Sequence, residues 1–374
     1  MKIALVRGPY LNKGEMANYE LLAKKHELRG FSSLHHLHST FEFPVVRLPS
    51  LCDLPLVPSH RIKMAILNRL FGDAMILFGL EEKLNGFDIA HTAETYFYFT
   101  KQCLGAKKKG LVSKVVATVW ENIPHNNEGI WGRREMKQKA LAEVDHFFAA
   151  TYGAKQALIE EGCHIQKISL IPMGVDLKKF KVQKLKIKNR DDFNKNKTNI
   201  LFIGRLENEK GIWEIVKAVS MLTIPYHLTM VGEGSQKQRL KQKIEAMRLE
   251  DSITITSCSY NQIESFYNQT DIFVLASKST TYWQEQFGMV LVEAMASGLP
   301  IVATDSGAIK EVVGDVGLFA KEADSKNLFD QINRLVKDSH LREKMARNAR
   351  KRAETYYDCE KVAKKIEQVY LSLL

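Results

Sequence analysis

Two stretches combine charge types and spacing suited to a phosphorylated, hydroxyl-rich ligand. The first is GRLENEKG, residues 204–211, directly after the apolar run NILFI. It sets Arg205 at the end of a strand-like segment and Lys210 at the start of an amphipathic one whose body reads Trp213–Met221. An Arg fork and a Lys point charge on such a loop form a phosphate clamp, with Gly204 at its base. A solvated loop in a chain rich in Lys and Arg is the plainer alternative. The second stretch is EQFGMVLVEAMASGLP, residues 285–300. Apolar residues from Met289 and Val290 through Met295 read as a buried helix, ended by Gly298 and Pro300. Phe287, Gly288 and Met289 then fall at a helix N-terminus, where free N–H groups and the positive dipole end favour a diphosphate. Glu285 precedes the helix and Glu293 lies inside it. An acid on the apolar part of a helix needs polar partners. Ribose or sugar hydroxyls would serve, and so would a nearby Arg or Lys.

Weaker candidates follow other strand-like runs. MVGEGSQ (230–236) could approach a nucleotide or simply turn the chain. GPYLNKGEMAN (8–18) carries Gly14 but no GxGxxG, so a dehydrogenase fingerprint is absent. AHTAETYFY offers His91 and Glu94, and VWENIPHN offers Glu121 and His125, as acid, base or acceptor contacts. Taken singly, each favours a structural role. HHLH at 35–38 has no convincing metal spacing, and no DxD motif stands out, so no metal site is expected.

Such residues need a scaffold of strands and helices. Short apolar runs at Lys2–Val6, Phe87–Ala90, Val115–Val119, His146–Ala149 and Ile168–Ile171 read as strands. Between them, Glu15–Arg29, His60–Leu84, Ala93–Lys109 and Gly153–Glu161 read as helices. Residues 180–199 are rich in Lys, Asn and Asp and read as a linker. A second series has strands at 199–204, 227–232, 252–256, 271–276 and 301–304. This rhythm predicts two α/β domains built on parallel sheets. Ligands then sit beyond the carboxyl ends of the strands. The last stretch, 358–374, has helical periodicity and is expected to pack back on the first domain.

The 374 residues suit two domains, and 45% apolar content supplies real cores. A net charge of +11 favours phosphate-bearing partners without choosing among nucleotides, nucleic acid and anionic lipid. No nucleic-acid module is visible and aromatics do not interleave with basic residues, which argues against a nucleic-acid binder. Five scattered cysteines with no CxxC fit a reducing cytoplasm. The N-terminus reads as a strand rather than a signal peptide. Residues 61–80 carry too many charges for a membrane span, although an amphipathic face there could lie at the inner surface of a membrane.

Taken together, the chain resembles the retaining glycosyltransferases of family 4, most strongly over residues 144–320. The resemblance rests on DHFFAATYGAKQALIEEGCHIQKISLIPMGVDLKKF (145–180), GRLENEKG, and EQFGMVLVE running on into EAMASGLPIVATDSGAIKEVV. It implies the GT-B fold, two Rossmann-like domains facing each other across a cleft. The boundaries would be 1–176 for an acceptor-side domain, 177–357 for a donor domain, and 358–374 for a returning helix. It also implies transfer of a sugar from a nucleotide-diphosphate sugar to a hydroxyl acceptor with retention of configuration. Neither a metal nor a resident cofactor would be needed. Acceptors would be glycans, lipid-linked sugars or small molecules. Arg205 and Lys210 would hold the diphosphate, Glu285 the transferred sugar, and Glu293 the ribose. Phe287, Gly288, Met289 and Val290 would lie along the sugar and phosphates, and Gly14 would face the diphosphate from a loop. A GT-B epimerase or phosphorylase is the alternative enzyme. Two departures stand out. Trp120 and Glu121 follow VVATV where relatives carry a His, and Glu15 follows Gly14 where relatives often have a second glycine.

Overall fold

The structure, a computed structural model, describes every residue except 36, 37, 39, 55–59 and 182–196, and every remaining side chain except those of 60–62 and 65. Most of the expected linker, and His36 and Leu37 of the HHLH run, lie outside the described residues.

The chain divides into two compact units, Met1–Gly174 with Cys359–Leu374, and Val175–Asp358. In the first, seven described strands form a parallel sheet. They are β1 (Lys2–Val6), β2 (Glu27–Ser33), β3 (Val45–Leu48), β4 (Phe87–Ala93), β5 (Val112–Val119), β6 (His146–Ala149) and β7 (Ile168–Leu170). Their spatial order is β3-β2-β1-β4-β5-β6-β7. β1 shows why the sheet is covered twice. Ile3 and Leu5 point into one buried cluster, Ala4 and Val6 into another. The Ile3 face is closed by Val362, Ala363, Ile366 and Tyr370 of the final helix, Cys359–Leu373.

The second unit repeats the plan with β8 (Thr198–Ile203), β9 (Tyr226–Val231), β10 (Ile253–Thr256), β11 (Ile272–Leu275), β12 (Ile301–Thr304) and β13 (Gly317–Ala320). The order is β10-β9-β8-β11-β12-β13, all parallel. Both units are thus Rossmann-like. In each, the strand order reverses once, between β1 and β4 and between β8 and β11, and these are the points where such sheets open a crevice.

The structure corrects three expectations about helices. The predicted helix Glu15–Arg29 stops at Ala23, and the chain enters β2 at Glu27. The predicted helix His60–Leu84 is two pieces, His60–Phe71 and Leu80–Lys83, separated by Gly72 and Gly79 at positive φ. The helix predicted from Ala93 begins at Tyr98, because β4 runs on through Ala93. Strands β2, β3 and β13 were not expected.

Candidate active site

In the second unit, the loops after β8 and β11 meet at the switch point. Arg205 leaves β8 and is well exposed, its guanidinium 3.2 Å from Glu209. Lys210 ends a 3-10 turn, Asn208–Lys210, and Gly211 starts the helix Ile212–Val219. Gly211 has φ 65°, and a Cβ there would collide with the carbonyl oxygen of Ala276, just past β11. Only glycine lets the two loops close on each other. The backbone N–H of Lys278 donates to the Glu209 carbonyl at 2.8 Å and laces them together.

This closure brings Lys210 and Glu285 into contact. Lys210 Nζ lies 2.7 Å from Glu285 Oε2, which also accepts a 2.8 Å hydrogen bond from Ser277 Oγ. Both side chains are nearly buried, and Lys210 Nζ sits 4.8 Å from the centre of the Trp283 ring. The loop after β12 presses on Glu285 from behind, where Ala308 N donates to its carbonyl at 2.8 Å. Glu285 is therefore positioned by three strand-end loops and neutralised by the cation that sequence reasoning assigned to phosphate.

The helix Met289–Ala296 starts beside this pair. Its N-cap is Gly288 at φ 79°, and no side chain caps it. The Phe287 ring turns into the core against Tyr357, at 5.9 Å between centroids, so a ligand would meet its backbone. Gly288, Met289 and Val290 are partly exposed. Glu293 is 2% exposed, and its two oxygens accept hydrogen bonds from Tyr260 Oη at 3.0 Å and Tyr267 Oη at 2.7 Å. Its partners in this state are phenols, neither the Arg nor the Lys considered above. Burial pushes the Glu293 carboxyl up to about 7, opposed by the two phenol hydrogen bonds and by Lys179. Lys179 Nζ lies 3.8 Å from the centre of the Tyr260 ring and donates to its carbonyl at 2.9 Å. Gly204 and the GEG turn pack together: a Cβ on Gly232 would strike the Gly204 carbonyl oxygen, and one on Gly234 the backbone of Leu206. The GEG glycines therefore have a packing reason of their own.

In the first unit, the corresponding switch point carries Arg7 after β1, Glu94 after β4, and Trp120 and Glu121 after β5. Arg7 is buried, and its Nη1 donates to the carbonyls of Val6, His91 and Thr92 at 3.0–3.1 Å. Glu94 Oε1 accepts the backbone N–H of Trp120 at 2.9 Å and of Glu121 at 3.2 Å. Burial, reinforced by the Glu121 carboxylate, pushes the Glu94 carboxyl up to about 8. Glu121 is engaged by Ile123 N and the side-chain amides of Asn126 and Asn127.

Two expectations for this unit are corrected. His91 is fully buried between Tyr370 Oη and Thr118 Oγ1 (2.7 Å to the latter), and burial lowers its basicity well below the usual histidine range. It is a neutral core histidine, closed off from any acceptor. Gly14 lies inside the helix Lys13–Ala23, because Asn12 caps that helix by accepting from Glu15 N at 3.1 Å. His125 is exposed and leans on Glu128 at 3.2 Å. Among the described residues, His125, Glu128 and Glu161 bring ligand atoms within 4.8 Å of one another. The Lys137 ammonium already pairs with both acids there.

Sequence reasoning missed Ser277, Trp283, Tyr260, Tyr267 and Arg7. Their types are ordinary for loops and helices, and only the fold brings them to the acids.

Residues 183–352 match the family described as Glycosyl transferases group 1. N-acetyl-alpha-D-glucosaminyl L-malate synthase of Bacillus anthracis is 27% identical over 199 residues, 52% of this chain and 51% of that protein. D-inositol 3-phosphate glycosyltransferase of Paenarthrobacter aurescens is 29% identical over 241 residues, 60% of this chain and 57% of that protein. The matches thus span little more than half the length of these curated relatives. Among solved structures, Anabaena Alr3699/HepE in complex with UDP and glucose superposes over 100% of both chains, with a TM-score of 0.79 at 18% identity. Sucrose-phosphate synthase from Thermosynechococcus elongatus covers 100% of this chain and 99% of its own, with a TM-score of 0.77 at 19% identity. The chain has the two-domain GT-B fold of these structures, and its second unit is similar to the group 1 glycosyl transferases.

Proposed function

We propose that the protein is a retaining glycosyltransferase of family 4, moving a sugar from a nucleotide-diphosphate sugar to a hydroxyl acceptor without a metal ion. The observation that carries this reading is the cluster at the β8/β11 switch point: Lys210, Glu285 and Ser277 beside an uncapped helix N-terminus. The diphosphate would lie on that N-terminus, with Lys210 and Arg205 as its counter-charges. Stabilising the departing diphosphate is the main physical task, and it needs fixed cations rather than a metal. Glu285, released from Lys210 by the incoming phosphate, would contact hydroxyls of the transferred sugar. Glu293 would contact the ribose after Tyr260, the partly exposed phenol, gives way, while the buried Tyr267 stays. The acceptor, a glycan, a lipid-linked sugar or a small molecule, would bind the first unit.

The Anabaena protein of like fold has been solved with UDP-glucose, which makes UDP-sugars the first donors to test. Thermal-shift measurements with UDP-, GDP- and ADP-sugars test the reading. A ligand at 100 times its dissociation constant adds about 2.7 kcal/mol to stability. Binding lost in Lys210→Ala supports it, and no shift with any nucleotide or nucleotide sugar overturns it. Product analysis with and without inorganic phosphate separates transfer from phosphorolysis or epimerisation.

A further inference from the structure

We propose that Arg7 and Asn18 form an oxyanion site in the first unit, and that the acceptor it takes carries a carboxylate or phosphate flanked by a hydroxyl, as in a hydroxy acid or a sugar phosphate. The role as acceptor rests on the glycosyltransferase reading, whereas the site itself lies wholly within the first unit. Arg7 follows β1 at the β1/β4 reversal, the ligand-binding position of a doubly wound sheet. It is 1% exposed, so its cationic guanidinium is held out of water. Among the described residues no acid forms an ion pair with it. Glu15 feels its charge but spends Oε1 on Asn12 Nδ2 at 2.8 Å. The groups around the guanidinium are neutral: the carbonyls of Val6, His91 and Thr92 on Nη1, and the Tyr19 hydroxyl 3.3 Å from Nη2. The rings of Tyr19 and Trp120 lie over it, 5.6 and 5.7 Å from Cζ. A buried cation without a counter-charge is costly in a core, and an anionic ligand supplies the missing charge.

The donors of Arg7 are used unevenly. Nη1 is taken by the strand-end carbonyls, whereas Nε has no partner. Nε–H and the adjacent Nη2–H point the same way and form the fork that grips two oxygens of a carboxylate or phosphate. The long contact to Tyr19 Oη is the competitor for that edge. Asn18 lines the same cavity, is 4% exposed, and its Oδ1 also has no partner. A free donor fork and a free acceptor in one cavity fit an oxyanion with a neighbouring hydroxyl. The oxyanion accepts from Arg7, and the hydroxyl donates to Asn18.

Trp120 and Met173 form part of the wall, and Trp120 Nε1 donates to Met173 Sδ at 3.1 Å. A thioether is a weak acceptor, so a ligand oxygen would take over that N–H. The cavity is about 20 Å³, room for one or two oxygens. The end of the ligand therefore enters while its carbon skeleton stays at the rim, where Glu15 and Trp120 are partly exposed. Partial burial pushes the Glu15 carboxyl up, which lessens its repulsion of an anion there.

The test uses three probes of one skeleton, glycerol 3-phosphate, glycerate and glycerol, on the isotope-labelled full chain. The readout is the side-chain Nε–H resonance of Arg7, identified by its absence in Arg7→Lys or, if that variant does not fold, by its shift in Asn18→Asp. At least one anion should move this resonance saturably, with an affinity at least tenfold above that of glycerol, because a charged bidentate fork holds an oxyanion more tightly than a neutral hydroxyl. The anion that binds more tightly tells a phosphate from a carboxylate acceptor. Asn18→Asp keeps the size of the side chain and sets a carboxylate in the cavity of Arg7. It should hold or raise Tm and lose anion binding at least tenfold, a pairing of effects that a merely structural Asn18 would not give. An Arg7 resonance that neither anion moves overturns the inference. So does an equal response to glycerol, or an Asn18→Asp protein that binds the anions as wild type does. UDP affinity by calorimetry is read separately. UDP binding with a silent Arg7 keeps the transferase reading and removes the site, while a responding Arg7 without UDP binding supports the site and overturns the transferase reading.

Discussion

Replacing Glu293 by Gln should change how stability depends on pH. The carboxyl is pushed from 4.5 to about 7 by burial. A raised carboxyl gives stability that is fully present below the unfolded value and is lost as pH rises through the folded one. Between pH 4.5 and about 7 the unfolded chain releases this proton while the folded chain keeps it, so folding weakens steadily. The shift is worth on the order of 3 kcal/mol across that window. Gln cannot ionise and still accepts a hydrogen bond from one phenol, so the variant should lose this slope. Relative to wild type it should gain stability as pH rises from 4.5 to 7 and hold the gain above that. Urea titrations at half-unit pH steps, read through Trp213 and Trp283 of the second unit, measure the difference. Parallel curves for the two proteins would refute a protonated, phenol-bound Glu293. In the same variant, UDP affinity measured above pH 7, where the Glu293 carboxyl is ionised, should fall by about 10- to 100-fold, because hydrogen bonds to a charged group contribute about 1.5–3 kcal/mol. That loss should appear in the Michaelis constant more than in turnover, since ribose is bound in donor and product alike.

Lys210→Ala should reduce nucleotide binding and also cost about 3–5 kcal/mol, because it strands the buried Glu285 carboxylate; the double variant Lys210→Met with Glu285→Gln should recover much of that stability without recovering turnover. Arg205→Ala, at an exposed side chain, should lower turnover with a melting temperature within a degree or two of wild type, and unchanged kinetics would remove Arg205 from the clamp. Activity should persist in EDTA, and a loss that magnesium or manganese restores would overturn the metal-free reading. Ile66, Leu70, Phe71 and Trp131 are exposed in the first unit, so pelleting with anionic vesicles at moderate salt should be detectable if this face meets lipid. Among the described residues no helix is long and apolar enough to cross a membrane.

The sequence by itself determined the α/β alternation, most strands to within a residue or two, and the cluster of cations and acids after β8 and β11. These were legible because a parallel strand buried on both faces is a continuous apolar run, and because loop chemistry is local. β2 was not legible. Its ELRGFSS run lacks the β-branched signature, and it holds as a strand because Gly30 leaves room for Phe43 and because β1 and β3 flank it. The return of Cys359–Leu373 to the first unit was expected from the sequence, but that it closes the Ile3 face of the sheet through Val362, Ile366 and Tyr370 is a tertiary fact. Pairings across distant positions were decided only by the fold. Lys210 neutralises Glu285 rather than standing free, and two phenols hold Glu293. His91 is consumed by Tyr370, while Glu94 keeps an oxygen without a partner. The reason is physical: residue type and spacing say which groups a segment can offer, but whether a buried charge is compensated depends on neighbours tens or hundreds of residues away.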